Sequence, residues 1–160
     1  MKRSETQYWH SPIGWIRMDI VGGRVKDLCF VRHQKSGFNK PKNGVHARVI
    51  RQLQHYFSGK SKAFSLPLDA EGTVFQKRVW AAVQTIPFGE TRTYGDIARA
   101  IGRPRAARAV GNALKDNPIA ILIPCHRVVP VGGKTGRYAW GTRRKKQLLS
   151  HETTCAMLRA

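Results

Sequence analysis

Acidic side chains are scarce in this chain: 9 Asp and Glu stand against 29 Lys and Arg in 160 residues, a formal charge of +20. Self-repulsion of that size disfavours compaction, so solubility alone does not account for it, whereas a polyanionic partner does. DNA, RNA and an anionic membrane all qualify. The basic residues are spread along the chain, with no basic tail and no long basic amphipathic helix, which favours nucleic acid over a membrane surface. Long apolar runs are also missing. No stretch approaches the roughly 20 apolar residues that cross a bilayer, and the opening "MKRSETQYWHSPIG" lacks the apolar core of a secretory signal. Cysteine is sparse as well. Cys29, Cys125 and Cys155 are odd in number and irregular in spacing, which argues against a disulfide framework and for a reducing compartment. The expected location is cytoplasmic, or nuclear in a eukaryote. Internal repeats and low-complexity tracts are absent.

What is present suits one domain or two small ones, with 41% hydrophobic residues to build a core. "SPIGWIRMDIVGGRVKDLCFVRH" alternates apolar and polar residues about Gly22-Gly23, a hairpin with the positive φ of a two-residue turn supplied by glycine. "QKSGFNKPKNG", residues 34–44, reads as a loop. Val45, Val49, Leu53 and Tyr56 then recur at helical spacing, and Gly59 closes that helix. "AFSLPLD" is compatible with another strand, and "DAEG" with a joint. The expected fold class is α+β: a small sheet-plus-helix domain over 1–70 and a mainly helical domain over 71–160. Trp9 and Trp15 are expected in the core of the first domain. Cys29 and His33 form a lone C-x3-H pair without the matching pair that a structural zinc takes, so no metal and no cofactor is expected.

In the second half, Phe75, Val79, Val83 and Ile86 mark a helix that stops before Pro87 and Gly89. Thr93 can cap a short helix through Ala100, with Asp96 in the first turn where the helix dipole favours a carboxylate. Gly102 breaks it, and Pro104 suits the first turn of a second helix to about Lys115. Two helices joined by a tight glycine-containing turn read as a helix-turn-helix. The second helix has small residues at Ala106, Ala107, Ala109, Gly111 and Ala113, with Arg103, Arg105 and Arg108 at one end. Tight packing on a neighbouring helix explains the small residues alone. Close approach to a phosphate backbone explains them and the arginines together.

"ILIPCHRVV" sets Cys125 beside His126 inside a segment that otherwise reads as buried strand. Both residues can be plain core. A thiol becomes a nucleophile as thiolate, and a histidine base needs a third group to fix its tautomer. Glu152, in the helical stretch "TRRKKQLLSHE", is the downstream carboxylate placed for that task. Adjacent residues of an extended chain face opposite ways, so the two cooperate only at a bend or through a bridging water. "TRRKK" itself fits a solvated helix face or a DNA contact equally well.

"RPRAARAVGNAL", then "NP", "IPCHRVV" and "GKTGRYAWGTRRKKQLLSHE" together resemble the O6-alkylguanine-DNA alkyltransferases, the methylated-DNA–protein-cysteine methyltransferases. The resemblance runs from "FQKRVWAAVQTIPFGETRTYGDIA" to His151-Glu152, and "SPIGWI" fits the family's variable N-terminal domain. It implies a single-turnover transfer of an alkyl group from guanine O6, and by extension thymine O4, in double-stranded DNA. Cys125 would be the acceptor, made anionic through water by His126, with Glu152 orienting the imidazole and Asn117 bracing the turn. Arg108 would enter the base stack, and Tyr94 would crowd the extruded nucleotide and help to turn it outward. Tyr138 would form a pocket wall, and the Val128 backbone would accept from the guanine amine. Arg103, Arg105, Ala106, Ala107, Ala109 and Gly111 would meet the minor groove. The expected partner is DNA carrying O6-alkylguanine, bound by a monomer with possible cooperative assembly, and no membrane.

Two positions depart from the family pattern. Ala139 replaces a residue often hydroxylic in relatives, but its backbone N–H, suited to the departing guanine oxygen, survives the change. Trp140 stands where many relatives have a second glycine, and an indole there is expected to narrow the pocket. Three rival readings remain at this level: a DNA-binding regulator, a lesion-binding protein that does not repair, and a Cys-His-Glu hydrolase. The first has no need of this Cys, His and Glu set, the second would lack the acceptor thiol, and the third would turn over.

Overall fold

A computed structural model describes residues 4–33 and 44–158. They fall into two compact units, Met1–Glu71 and Gly72–Ala160.

In the first unit, β1 (Ser4–Ser11), β2 (Gly14–Val21) and β3 (Arg24–Val31) form an antiparallel meander in that order. Gly22 and Gly23 take φ of 57° and 75°, the two positive values that a tight turn between twisted strands requires. The expected hairpin is therefore present. Ile16, Met18 and Ile20 line one face of β2, and Val25, Leu28 and Phe30 that of β3. Val25 and Leu28 are three apart yet share a face, because the register slips between Asp19↔Asp27 and Ile20↔Val25, leaving Lys26 as the extra residue of a bulge. α1 (Gly44–Phe57) buries His46, Val49, Leu53 and Tyr56.

β1 was not legible in the sequence. Only Ser11 of its eight residues is buried, so no apolar alternation announces it. Trp9 and Trp15 are half-buried rather than core; Trp9 packs on Phe57 and Trp15 on His10. "AFSLPLD" is not a strand. It reduces to one bridge, Val25 with Leu68, because Pro67 has no N–H to continue a ladder. The loop read over 34–44 lies, save Gly44, outside the described residues.

In the second unit, α2 (Val74–Gln84) opens on a reciprocal cap between Thr73 and Gln76. β4 (Arg92–Thr93) leads into α3 (Tyr94–Ala100), where Thr93 caps and Asp96 closes the box as expected. α3 ends on Gly102 at φ 72°. Gly102 N–H returns to Arg99 O and Arg103 N–H to Ala98 O, satisfying carbonyls the helix end would orphan. α4 (Ala107–Lys115) completes the helix-turn-helix. It begins three residues later than Pro104 suggests, since Ala106 N–H to Arg103 O closes a turn over Pro104-Arg105 first. Trp80 Nε1 donates to Ala113 O at 2.8 Å, locking α2 to α4. β5 (Val128–Val129) pairs parallel with β4, and α5 (Thr142–Met157) closes the unit.

Candidate active site

The segment 119–129 is not the buried strand its composition suggests. It is a chain of tight turns ending in a 3-10 turn, Cys125–Arg127, and β5. Leu122 N–H returns to Ala120 O at 2.7 Å across Ile121, whose φ of 66° is left-handed. A β-branched residue there stores about 1–3 kcal/mol of strain. Cys125 N–H then returns to Ile123 O at 2.8 Å across Pro124 (φ −81°, ψ 60°), a second three-residue turn. Two forces hold this path. Ile119, Ala120, Ile121 and Ile123 are buried, and Asn117 splints the turn from inside. Its Oδ1 accepts from Ile119 N–H, while Nδ2 lies within bonding distance of the carbonyls of Ile119 and Ile123 and of Cys125 Sγ, the last at 2.9 Å.

Cys125 and His126 thus both belong to the 3-10 turn and both are buried, where an extended chain would have sent them to opposite faces. His126 is fully buried, and its Nε2 lies 2.7 Å from Glu152 Oε1. Burial alone would raise the Glu152 carboxyl, but the bonds from His126 and Arg127 outweigh it and hold the carboxyl well below the usual carboxylate range. Glu152 is thus an acceptor only, so Nε2 carries the imidazole proton. Burial also keeps His126 below its usual titration range despite Glu152, so the ring is neutral near pH 7. Nδ1 then holds a lone pair, and it is buried without a hydrogen-bond partner in the structure.

Burial pushes the Cys125 thiol up to about 12, against a smaller lowering by the Asn117 bond and the Lys145 charge. The sulfur is therefore a thiol at rest, so a base has to take its proton before it can act as a nucleophile. It is 4% exposed.

Several expected residues gather here. The Tyr138 ring stands edge-on to Trp140, and its hydroxyl is buried and unpartnered. Burial raises Tyr94, and the charge of Cys125 acts on it in the same direction. Tyr94 packs where a Cβ on Gly111 would lie 3.7 Å from its ring. Gly136 beside it has φ 74°, and a Cβ there would meet Pro130 at 2.6 Å, so no other residue fits. Val128 is buried, Trp140 half-buried and Ala139 exposed. Arg103, Arg105, Arg108 and Ala109 lie exposed along the turn and α4, with Ala106, Ala107 and Gly111 half-buried.

Sequence reasoning missed two charged groups. Arg127 grips Glu152 with Nε and Nη2 at 2.9 and 3.0 Å, and its Nη1 donates to Ile86 O at 2.7 Å. Lys145, inside "TRRKK", is buried while its neighbour Lys146 is exposed, so the run is not a uniformly solvated face. The spacing of Lys145, Leu148 and Glu152 was the available signal: it is one face of a helix. Elsewhere, burial pushes Cys29 to about 12 with Asp27 adding to the shift, and His33 is exposed. Among the described residues, no three His, Cys, Asp or Glu gather for a metal ion.

Residues 74–154 match the DNA binding domain of 6-O-methylguanine DNA methyltransferase, and residues 7–70 match its ribonuclease-like domain. The chain is similar to the methylated-DNA–protein-cysteine methyltransferase of Methanosarcina acetivorans, 55% identical over 154 residues, 92% of this chain and 97% of that one. It is 59% identical over 147 residues to the protein of that name from Methanosarcina barkeri, covering 89% and 92% of the two chains. The crystal structure of Mycobacterium tuberculosis O6-methylguanine methyltransferase superposes with a TM-score of 0.85 at 39% identity, covering 99% and 100%. Mycobacterium tuberculosis OGT in complex with DNA gives 0.85 at 43%, covering 94% and 93%.

Proposed function

The chain belongs to the 6-O-methylguanine DNA methyltransferase family, and on that footing we infer that it reverses guanine O6 alkylation in DNA by taking the alkyl group onto Cys125. The observation that carries the chemistry is the buried, unpartnered Nδ1 of His126, the residue that follows Cys125 in the 3-10 turn, with Nε2 tied to an ionised Glu152.

Residues 71–160 bind DNA and accept the alkyl group. Arg103, Arg105 and Arg108 supply phosphate contacts, while Ala106, Ala107, Ala109 and Gly111 let the α4 backbone come close to the minor groove. An alkylated base stacked in a duplex hides its alkyl carbon, so it must leave the stack at a cost of a few kcal/mol. Arg108 fills the vacated space and Tyr94 crowds the nucleotide outward, offsetting that cost. The Cys125 proton passes through a water to His126 Nδ1, and Glu152 balances the imidazolium. The sulfur displaces the purine in line: the S–C bond forms as the C–O6 bond breaks. The electron pair goes to the guanine, which the Ala139 N–H and Tyr94 stabilise and which then takes up a proton. Val128 O already accepts from Lys145, so its second lone pair serves the guanine amine. The thioether product is too poor a leaving group to hydrolyse, so each molecule acts once. Thymine O4 lesions follow the same route. No metal or cofactor takes part in it. A monomer working on DNA in the cytoplasm, or in the nucleus of a eukaryote, belongs to this reading.

Intact-mass measurement after mixing with duplex DNA containing O6-methylguanine tests it. The expected gain is one methyl per molecule, however much DNA is added. No gain would mean a DNA-binding regulator or sensor, and repeated turnover a hydrolase.

Two further outcomes are expected. Because Trp140 stands edge-on to Tyr138 at 5.2 Å between centroids, methyl lesions should react faster than benzyl lesions, and Trp140→Gly should narrow that ratio by about tenfold. Equal rates for the two lesions in the unaltered protein would refute it. The transfer rate should also hold from neutral pH down through the usual histidine range and fall only below it, because the base form of His126 is protected by burial. A midpoint at or above the ordinary value, in single-turnover rates against pH, would show that another group is the base.

A further inference from the structure

Between the start of α2 and the helix-turn-helix lies a cleft of about 210 Å³. Val74, Phe75 and Arg78 of α2, Ile101 at the end of α3 and Arg103 of the turn line it. Its walls are tied together. Trp80 Nε1 donates to Ala113 O at 2.8 Å and Gln76 Nε2 to Asp116 Oδ2 at 3.1 Å, joining α2 to α4 at two points. Arg103 N–H returns to Ala98 O at 2.8 Å, fixing the turn on α3. Val74 is 77% exposed, and Arg78 and Arg103 are exposed as well.

The lining specifies the chemistry of what fits there. Arg78 and Arg103 come from different elements, and among the described residues neither pairs with a carboxylate. Like charges lining one concave space repel, and an anion between them relieves that. The remaining walls are apolar, for which a free anion has no use. A sugar–phosphate backbone offers both parts, anionic oxygens and the apolar face of deoxyribose. The position agrees. In helix-turn-helix proteins the first helix crosses the backbone while the second enters a groove. This cleft sits at the end of the first helix, α3, beside the exposed turn Arg103-Pro104-Arg105.

We propose that this cleft seats one sugar–phosphate unit of the DNA backbone, with Arg78 and Arg103 holding the phosphate and Val74, Phe75 and Ile101 meeting the deoxyribose. The duplex is then gripped outside the groove that α4 enters. This rests on residues 71–160 being the DNA-binding unit. It adds Val74 and Arg78 to the interface, and neither belongs to the helix-turn-helix. A contact of this kind carries no sequence or lesion information. It contributes equally to intact and alkylated DNA, and the tied walls mean that little ordering is lost on binding.

Affinity for an undamaged duplex just long enough for one copy, measured against salt concentration, tests it. Each phosphate contact contributes about −0.9 to the slope of log K against log salt. Arg78→Gln should flatten the slope by about that amount and weaken binding equally for undamaged and O6-methylguanine duplexes. Lys77→Gln removes the same charge from the exposed neighbour that does not line the cleft, and should change the slope clearly less. Val74→Glu puts a carboxylate in the first turn of α2, where it favours the helix, and in the cleft, where it repels a phosphate. It should keep or raise the melting temperature and still weaken binding severalfold. An unchanged slope in Arg78→Gln overturns the proposal, as does equal flattening in Lys77→Gln or undiminished binding by Val74→Glu. A loss confined to longer duplexes that hold several copies would assign the cleft to a contact between copies and overturn it too. Undamaged DNA reads binding alone. Absence of methyl transfer in the unaltered protein, with the slopes as expected, would therefore sink the repair reading and leave this one standing.

Discussion

Cys125→Ser is expected to abolish alkyl transfer, by at least about three orders of magnitude, while DNA binding and the fold persist. The loss follows from the site. The thiol is already pushed up to about 12 by burial, and a neutral imidazole has to draw its proton off at the moment of reaction. An alcohol ionises far less readily than a thiol, so the same base cannot generate an alkoxide, and a hard oxygen is a poorer nucleophile for an alkyl carbon. Serine is close in volume and keeps the Asn117 bond, so the turn from 117 to 125 should survive. The measurement is intact mass against titrated duplex, with binding followed separately. Residual transfer above about one part in a hundred would move the acceptor to another residue, Cys155 being one to check by peptide mapping.

The second large effect is expected at Glu152. Its carboxylate sits 1% exposed and receives His126 Nε2, Arg127 twice and Gly89 N–H. Glu152→Ala leaves the Arg127 guanidinium buried without a counter-charge and orphans the other donors. Breaking one side of such a pair costs about 3–5 kcal/mol. Urea unfolding should show it as a shifted midpoint with little change in slope. The pH dependence gives an independent reading. The folded-state carboxyl lies below its unfolded value, so the stabilisation is present above the ordinary carboxylate range and disappears as pH falls through and below it. That acid-side loss should be much weaker in Glu152→Ala. Transfer should fall too, since the imidazole loses the group that fixes its tautomer. A variant that melts like the unaltered protein would mean that the network in this structure is not closed in solution.

Glu152 also shows how far the sequence could be read. It was chosen as the carboxylate for His126 from chain order alone, and the structure places the two at 2.7 Å. Thr93 and Asp96 announced their helix start, and Gly22-Gly23 their turn, because caps and turns are written in residues that sit next to each other. Lys145 escaped because a lysine among four other polar residues reads as solvent-facing until the helix is oriented by what it packs on. Arg127 escaped for a related reason: its partners, Ile86 O and Glu152, lie 41 and 25 residues away.

The sequence alone determined the two-part α+β organisation and the helix-turn-helix with its basic, small-residue second helix, because these depend on local periodicity, capping and motif spacing; the proposed reactive set of Cys125, His126 and Glu152 came from the family resemblance. The tertiary structure alone decided the state of that set. Which imidazole nitrogen is free, that the thiol rests protonated, and that a lysine is buried beside it all follow from how distant segments exclude water around a few polar atoms. Desolvation of that kind belongs to the packed site, and no stretch of neighbouring residues encodes it.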